Sequence, residues 1–341
     1  MSITIKDVAR EANVSPSTVS KIINHSPTIP EKTARHVREV MERLHYCPNL
    51  QARNFAKKTT RNIAFLTKLE PQIAFTNPHM FDILCGVQET LAQKEYNLSL
   101  VGIQQADRAT QTVERMIAQK IADGLVVHGS ATTKSMTALL VKSGFPHIII
   151  GKPDFESQAC WIDTNHFLSG QIAAEHLCQC GRRRIAFVGG AREDKIFLQR
   201  FNGFLSVMNE KGLEVSPEFV KYGDSSSNSG FTLANELFAC AARPNAVICQ
   251  DNAVAFGVIK SIHRHRLKIP DDIALVCFDN YPFSEIMDPM PTVVDVNVHD
   301  MGMQAASLLL RKIKNPELQM QTYTTLPVLI VRSSTQGAKK Q

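Results

Sequence analysis

The chain has 341 residues, 44% of them hydrophobic and 21% charged, and a formal net charge of +6. That length exceeds one small core and implies two or three domains, and no apolar run reaches the ~18–20 residues that a membrane span requires. The first residues are polar and basic, without the apolar stretch of a secretory leader, so a cytoplasmic location is expected.

Residues 4–24 spell two short helices joined by a tight turn. Thr4 stands three residues before Asp7, the spacing of a capping box. Asn13 falls where the first helix must stop and tolerates the left-handed conformation needed there. Ser15 is a helix cap, and Pro16 occupies the first helical position, where a missing N–H costs nothing. Ile5, Val8, Ala9, Ala12, Val14, Val19 and Ile22 make one apolar side, while Ser17, Thr18, Ser20, Lys21 and Asn24 are small, polar or basic. The unit reads as a helix-turn-helix whose second helix enters a major groove. A helical hairpin without a nucleic-acid role is the bland alternative, and charge weighs against it. Residues 1–61 hold eleven Lys or Arg against five Asp or Glu, and the remainder of the chain is neutral, so the whole excess lies beside this motif.

A third helix is expected over 30–45, then a turn at Tyr46-Cys47-Pro48-Asn49, one or two helical turns over 50–56, and a basic linker to Arg61. From Asn62 the pattern alternates. Strands at 63–66, 98–102, 124–127 and 147–151 are separated by helices at 80–96, 110–120 and 133–143. It then restarts, with helices at 167–180, 198–211, 231–240 and 254–265 and strands at 184–190, 246–249 and 273–278. Single helices between strands imply parallel sheets with right-handed crossovers. Two such units in series imply two lobes, with a ligand between them at the carboxyl ends of strands. No phosphate-binding glycine loop and no Gly-x-Ser-x-Gly elbow occurs, and the acids and histidines form no catalytic arrangement, so no enzyme is expected. The eight cysteines lack a Cys-x-x-Cys pair. Cys178, Cys180 and His176 lack a second ligand pair, so thiols are expected rather than a metal site.

The motifs Ile5-Lys6-Asp7-Val8-Ala9, Val14-Ser15, Thr18-Val19-Ser20, Ile23-Asn24 and Tyr46-x-Pro48-Asn49 resemble those of the lactose-repressor family of bacterial transcription regulators (LacI/GalR type). Asn77-Pro78, Asp123-Gly124-Leu125, Arg200-Phe201-Asn202-Gly203-Phe204, Ile269-Pro270-Asp271-Asp272-Ile273, Phe278-Asp279-Asn280 and Pro291-Thr292 extend the resemblance over essentially the full length. The resemblance implies an all-α helix-turn-helix domain over 1–46 and a hinge helix and linker over 47–61. It implies a bilobed α/β body, like a periplasmic binding protein, over 62–341. Lobe 1 is expected at about 62–161 and 293–323, and lobe 2 at about 162–292 and 324–341. It further implies a homodimer on a near-palindromic double-stranded operator, controlled by a small molecule in the cleft and lacking any other cofactor. No leucine heptads follow the body, which favours a dimer over a coiled-coil tetramer.

Position by position, the resemblance gives Thr4, Pro16, Ser17, Thr18, Lys21, Asn24, Asn49, Arg53, Phe55 and Lys57 as DNA contacts. Lys21 reads guanine or holds a phosphate. Phe55 wedges between central base pairs or packs on its dimer mate. The implied effector residues are Asn77, His79, Phe81, Gly151, Asp163, Arg200, Gln250 and Asp279. Arg200 donates in a fork and Asp279 accepts from paired hydroxyls, which suits a sugar; a structural salt bridge is the competing reading of that pair. The Gly151-Lys152-Pro153 turn resembles that of maltose-type repressors and points to an α-glucoside, and Ser225 stands where several members carry an aromatic residue that would grip a purine. Two other functions stay open: a cytoplasmic sugar-binding receptor without specific operator function, and an α/β enzyme tethered to DNA.

Overall fold

The computed structural model describes residues 3–24, 26–47, 59–71, 79–240, 242–319 and 321–336, with the side chain of Phe283 left aside. The chain divides into two compact units, residues 1–61 with 120–123, and 62–119 with 124–341.

The first unit carries α1 (Ile5–Glu11), α2 (Pro16–Ile23) and α3 (Glu31–Arg43). Val8, Ala9, Ala12, Val19, Ile22, Ala34, Val37 and Val40 interlock as its core, the apolar stripes that each helix offers at helical spacing. Asn13 adopts a left-handed φ of 52° between α1 and α2. The Asp123 carboxylate accepts from the backbone N–H groups of Thr60 (2.7 Å) and Arg61 (3.0 Å).

The second unit holds two six-stranded sheets. Lobe 1 contains β1 (Asn62–Lys68), β2 (Asn97–Ile103), β3 (Gly124–His128), β4 (His147–Ile150), β5 (Trp161–Thr164) and β11 (Tyr323–Thr325), in the order β11-β5-β4-β3-β1-β2, all parallel. Lobe 2 contains β6 (Ile185–Val188), β7 (Val220–Lys221), β8 (Ala246–Cys249), β9 (Ala274–Phe278), β10 (Thr292–Asp295) and β12 (Val328–Ile330), in the order β12-β10-β9-β8-β6-β7, with β12 antiparallel at the edge. Central strands such as Val247, Ile248 and Cys249 are buried on both faces. They therefore read as continuous apolar runs rather than alternating ones.

Helices cover both sheets. In lobe 1 these are α4 (His79–Ala92), α5 (Ala109–Ala118), α6 (Lys134–Ser143) and α11 (Val298–Lys314). In lobe 2 they are α7 (His166–Gln179), α8 (Lys195–Glu210), α9 (Ser227–Ala239) and α10 (Asn252–Arg264). Three helix pairs cross backbone to backbone. A Cβ at Gly86 would lie 2.0 Å from the His299 carbonyl oxygen, one at Gly170 1.8 Å from that of Arg200, and one at Gly257 2.0 Å from that of Ser227. Only glycine permits that approach.

Three expected boundaries shift, the last because β11 keeps Thr324 and Thr325 in lobe 1. The β5 strand pairs with β4 and β11, so Ile162–Thr164 lie in lobe 1. The β10 strand pairs with β9, so Val293–Asp295 lie in lobe 2. The chain changes lobe at Asn165, at Val296–Asn297 and at Leu326–Pro327, because hydrogen-bonded pairing, rather than the run of apolar residues, decides which sheet owns a strand. The helix expected over 80–96 stops at Ala92, where Glu95 turns left-handed (φ 57°).

Candidate functional site

In the first unit, the Thr4 amide (3.0 Å) and hydroxyl (2.7 Å) both donate to Asp7, and the Ser15 hydroxyl accepts from the Thr18 amide at 3.1 Å. Both helix starts therefore carry partners for N–H groups that have none inside the helix. Pro16, Ser17, Lys21 and Asn24 are exposed on α2, Thr18 is half-buried and Thr4 is exposed. The Ser17 hydroxyl lies 2.8 Å from that of Ser15, and the Asn24 amide donates to the Ser20 carbonyl at 2.8 Å. Arg10, Arg38 and Arg43 pair with Asp7, Glu31 and Glu11. Among the described residues, Lys6, Lys21, Lys32 and Arg35 have no carboxylate partner. Asn49, Arg53, Phe55 and Lys57, and the helix expected over 50–56, lie outside the described residues.

In the body, a cavity of about 440 Å³ opens between the lobes at the carboxyl ends of the strands. Lobe 2 supplies its buried charge. Asp279 follows β9 in a left-handed conformation (φ 73°), a backbone strain on the order of 1–3 kcal/mol. The Asn252 side-chain amide holds it there by donating to the Phe278 (3.0 Å) and Asp279 (2.7 Å) carbonyls. Arg200, on the first turns of α8, donates to the Asp279 carboxylate at 3.3 Å and to the Gln250 carbonyl at 3.0 Å. Its guanidinium carbon lies 4.2 Å from the Phe278 ring centroid. Lobe 1 answers with His79, the first residue of α4, whose Nε2 is 3.0 Å from Asp279 Oδ2 and whose ring lies 4.6 Å from that of Tyr281. Burial opposes ionisation of Asp279, but the Arg200 charge and the charge and hydrogen bond of His79 outweigh it and hold the carboxyl well below the usual carboxylate range.

A second carboxylate, Asp163 on β5, accepts from the amides of Lys152 (2.9 Å) and Thr164 (2.8 Å) and faces His166 Nε2 at 3.3 Å. Burial again works against its charge, and these donors more than compensate, so its pKa is lowered. His128, at the end of β3, is pushed down to about 4 by burial and by the nearby charge of His79. Four lining atoms have no hydrogen-bond partner among the described residues: His79 Nδ1, His166 Nδ1, Arg200 Nε and Gln250 Oε1. Buried polar groups are rarely left so, and a polar ligand would satisfy them.

The comparisons with known proteins follow the same division. A model described as bacterial regulatory proteins, lacI family, matches residues 4–49, and one for a periplasmic binding protein-like domain matches 174–335. The HTH-type transcriptional repressor PurR of Actinobacillus pleuropneumoniae serotype 3 (strain JL03) is 30% identical over 341 residues, covering 99% of each chain. The chain belongs to the LacI family. It is a DNA-binding transcriptional repressor with a ligand-binding body; its relatives are repressors, not enzymes. Among solved structures, the lac repressor dimer bound to operator and the anti-inducer ONPF has a TM-score of 0.83 at 22% identity, over 98% of this chain and 99% of that one. The complex of the transcriptional regulator CelR with cellobiose has a TM-score of 0.71 at 24% identity, over 97% and 99%. At these identities both speak to the fold alone.

Of the effector residues expected for this LacI-family chain, His79, Gly151, Asp163, Arg200, Gln250 and Asp279 line the cavity together. Asn77 lies outside the described residues. Phe81 does not line the cavity and is 38% exposed. Two residues along a helix from His79 it points some 200° away, whereas Ile83, a full turn on, faces inward. Sequence reasoning missed His128, His166, Tyr281 and the helix cap Asp194, all of which line the cavity, whereas Asp251, beside Gln250 after a strand, reads as a further polar contact and lines it too. Asp194 carried the same signal as Asp251, an Asp directly before a helix that follows a strand; the imidazoles carried none. Cys178, Cys180 and the remaining cysteines are free thiols, and no cluster of three metal-ligating side chains occurs among the described residues. No helix among them is long and apolar enough to cross a membrane.

Proposed function

We propose that this repressor acts in the cytoplasm as a homodimer on a near-palindromic operator, and that a sugar bound between the lobes controls its hold on DNA. The observation that carries the sugar reading is the buried chain Gln250–Arg200–Asp279–His79, which crosses from lobe 2 to lobe 1. A guanidinium fork beside a carboxylate matches vicinal hydroxyls, each of which donates and accepts. The cross-lobe bond from His79 gives a ligand a means of changing the angle between the lobes. An α-glucoside is the first candidate, from the Gly151-Lys152-Pro153 turn at the cavity wall. CelR, with the same fold, is seen with cellobiose.

Operator symmetry supports the dimer. A two-fold operator presents two half-sites to two recognition helices, and the lac repressor is seen as an operator-bound dimer. We assign base reading to Lys21 with Pro16 and Ser17, phosphate contacts to Thr4, Thr18, Asn24, Asn49, Arg53 and Lys57, and a minor-groove wedge to Phe55.

The test is a thermal-shift panel of saccharides, saccharide phosphates, nucleosides and purines, followed by operator titration. A saccharide at 100 times its Kd raises stability by about 2.7 kcal/mol, and Asp279→Asn abolishes the rise. A purine or nucleoside acting in place of every saccharide overturns the sugar assignment. Operator affinity that does not fall steeply between 50 and 200 mM salt leaves only the reading of a sugar-binding receptor.

A further inference from the structure

We propose that the effector is an amino-bearing sugar, with its ammonium received by Asp251 and Gln250 on the lobe 2 wall and Asp194 at the mouth. This rests on the sugar reading and narrows it.

The first support is charge. Among the described residues, Asp163, Asp251 and Asp279 line the cavity with one permanent cation, Arg200, and Asp194 stands exposed at its mouth. Neighbouring cations are directed elsewhere. Lys195 pairs with Asp154, Arg192 lies over the Tyr222 ring at 4.4 Å, and the Lys152 ammonium lies over the Trp161 ring at 5.6 Å. Burial keeps His128 neutral. Proton uptake by His79 and His166 would at most balance the three inner carboxylates and leave Asp194 unmatched.

The second support is the balance of donors and acceptors. Gln250, 5% exposed, leaves its Oε1 without a donor. His79 and His166 each face a carboxylate through Nε2. In the neutral form that tautomer turns the unpartnered Nδ1 into an acceptor. The side chains of Asp194 and Asp251 are hydrogen-bonded only through Oδ1, to the amides of Phe197 and Val254. Among the fully buried side-chain atoms of the described lining residues, Arg200 Nε is the one donor left without a partner. A hydroxyl brings one donor and an ammonium three, so an amine answers a lining short of donors.

The third support is what the cavity refuses. A helix N-terminus ordinarily attracts phosphate. Here the N-termini of α8 and α10 both face the cavity, but each is already capped by its own carboxylate, Asp194 and Asp251. An anion arriving there meets a carboxylate rather than open N–H groups.

Isothermal titration of the full chain at pH 7 with glucose, glucosamine and glucose 6-phosphate, and with the same three forms of galactose, tests the proposal. In at least one series the amino sugar binds about tenfold tighter than its parent, the scale of one added charge contact at partial exposure, and the phosphate gives no heat. Parent and amino sugar binding equally in both series, or a phosphate binding tighter, overturns the amino assignment and leaves the sugar reading standing. Silence from all six overturns both. Asp251→Asn keeps the helix cap, since Asn caps as well as Asp, and removes the charge. The ratio of amino-sugar to parent affinity then falls toward one, and an unchanged ratio overturns the role of Asp251.

Discussion

The two lobes share a fold but stabilise it differently. Lobe 2 packs α7 and α8 onto its sheet through a cluster of rings, in which Phe187 lies 5.3–6.2 Å from Phe197, Phe201, Phe204 and Phe278. Lobe 1 fills the corresponding layer between α4, α11 and its sheet mainly with aliphatic side chains around Phe65, which has no ring neighbour among the described residues. The cleft repeats the contrast. Lobe 2 contributes a charge pair, Arg200 and Asp279, with both side chains at most 5% exposed. Lobe 1 contributes imidazoles and one half-buried carboxylate. The wall that carries the buried charge pair thus stands on the ring-packed core, and the wall facing it carries the imidazole that reaches across the cleft.

The largest test of that contrast is Arg200→Met. It leaves Asp279 buried without its permanent counter-charge and should lower unfolding free energy by about 3–5 kcal/mol, whereas His79→Ala, across the cleft, should cost about 1–2 kcal/mol. Equal losses in urea unfolding would mean that the anchor is not confined to lobe 2. A finer comparison sets Phe187→Leu against Phe65→Leu. Both side chains are fully buried, so the transfer terms match, and the lost ring contacts should make the lobe 2 change worse by about 0.5–1.5 kcal/mol; indistinguishable urea midpoints would remove the distinction between the cores.

A further effect is a pH slope, absent at neutral pH. The folded pKa of His128, about 4, lies below its ordinary 6.5, so between those values the unfolded chain binds more protons. Its contribution to stability is complete above pH 6.5 and is lost as pH falls toward 4. His128→Gln should flatten part of the stability–pH curve over that window, and a curve superimposable on the parent's would show that the imidazole is not held neutral in the fold.

Much of this was legible in the sequence, and the gaps have physical causes. Central strands announce themselves as unbroken apolar runs because helices bury both faces. The edge strands β7, β11 and β12, and β5 next to the edge, are two to four residues long and partly exposed, so they carry no such run, and ownership of β10 was decided only by its pairing. Arg200 and Asp279 were found because each sits within a recognisable motif. His128 and His166 were not, since an imidazole at the end of a strand or the start of a helix gains meaning only when folding brings a carboxylate or another imidazole beside it. Phe81 shows the reverse error, a residue close in sequence to the site but rotated away from it by helical geometry.

The crossing of α7 on α8 bears on how the repressor's response can be mapped. Gly170 touches no ligand, yet a methyl there would lie 1.8 Å from the carbonyl oxygen of Arg200. The backbone of Arg200, which lines the cavity, is thus seated on a glycine in the neighbouring helix. A genetic screen for variants blind to effector would therefore recover position 170 alongside the cavity wall. A map of such variants would outline the support of the site as well as the site.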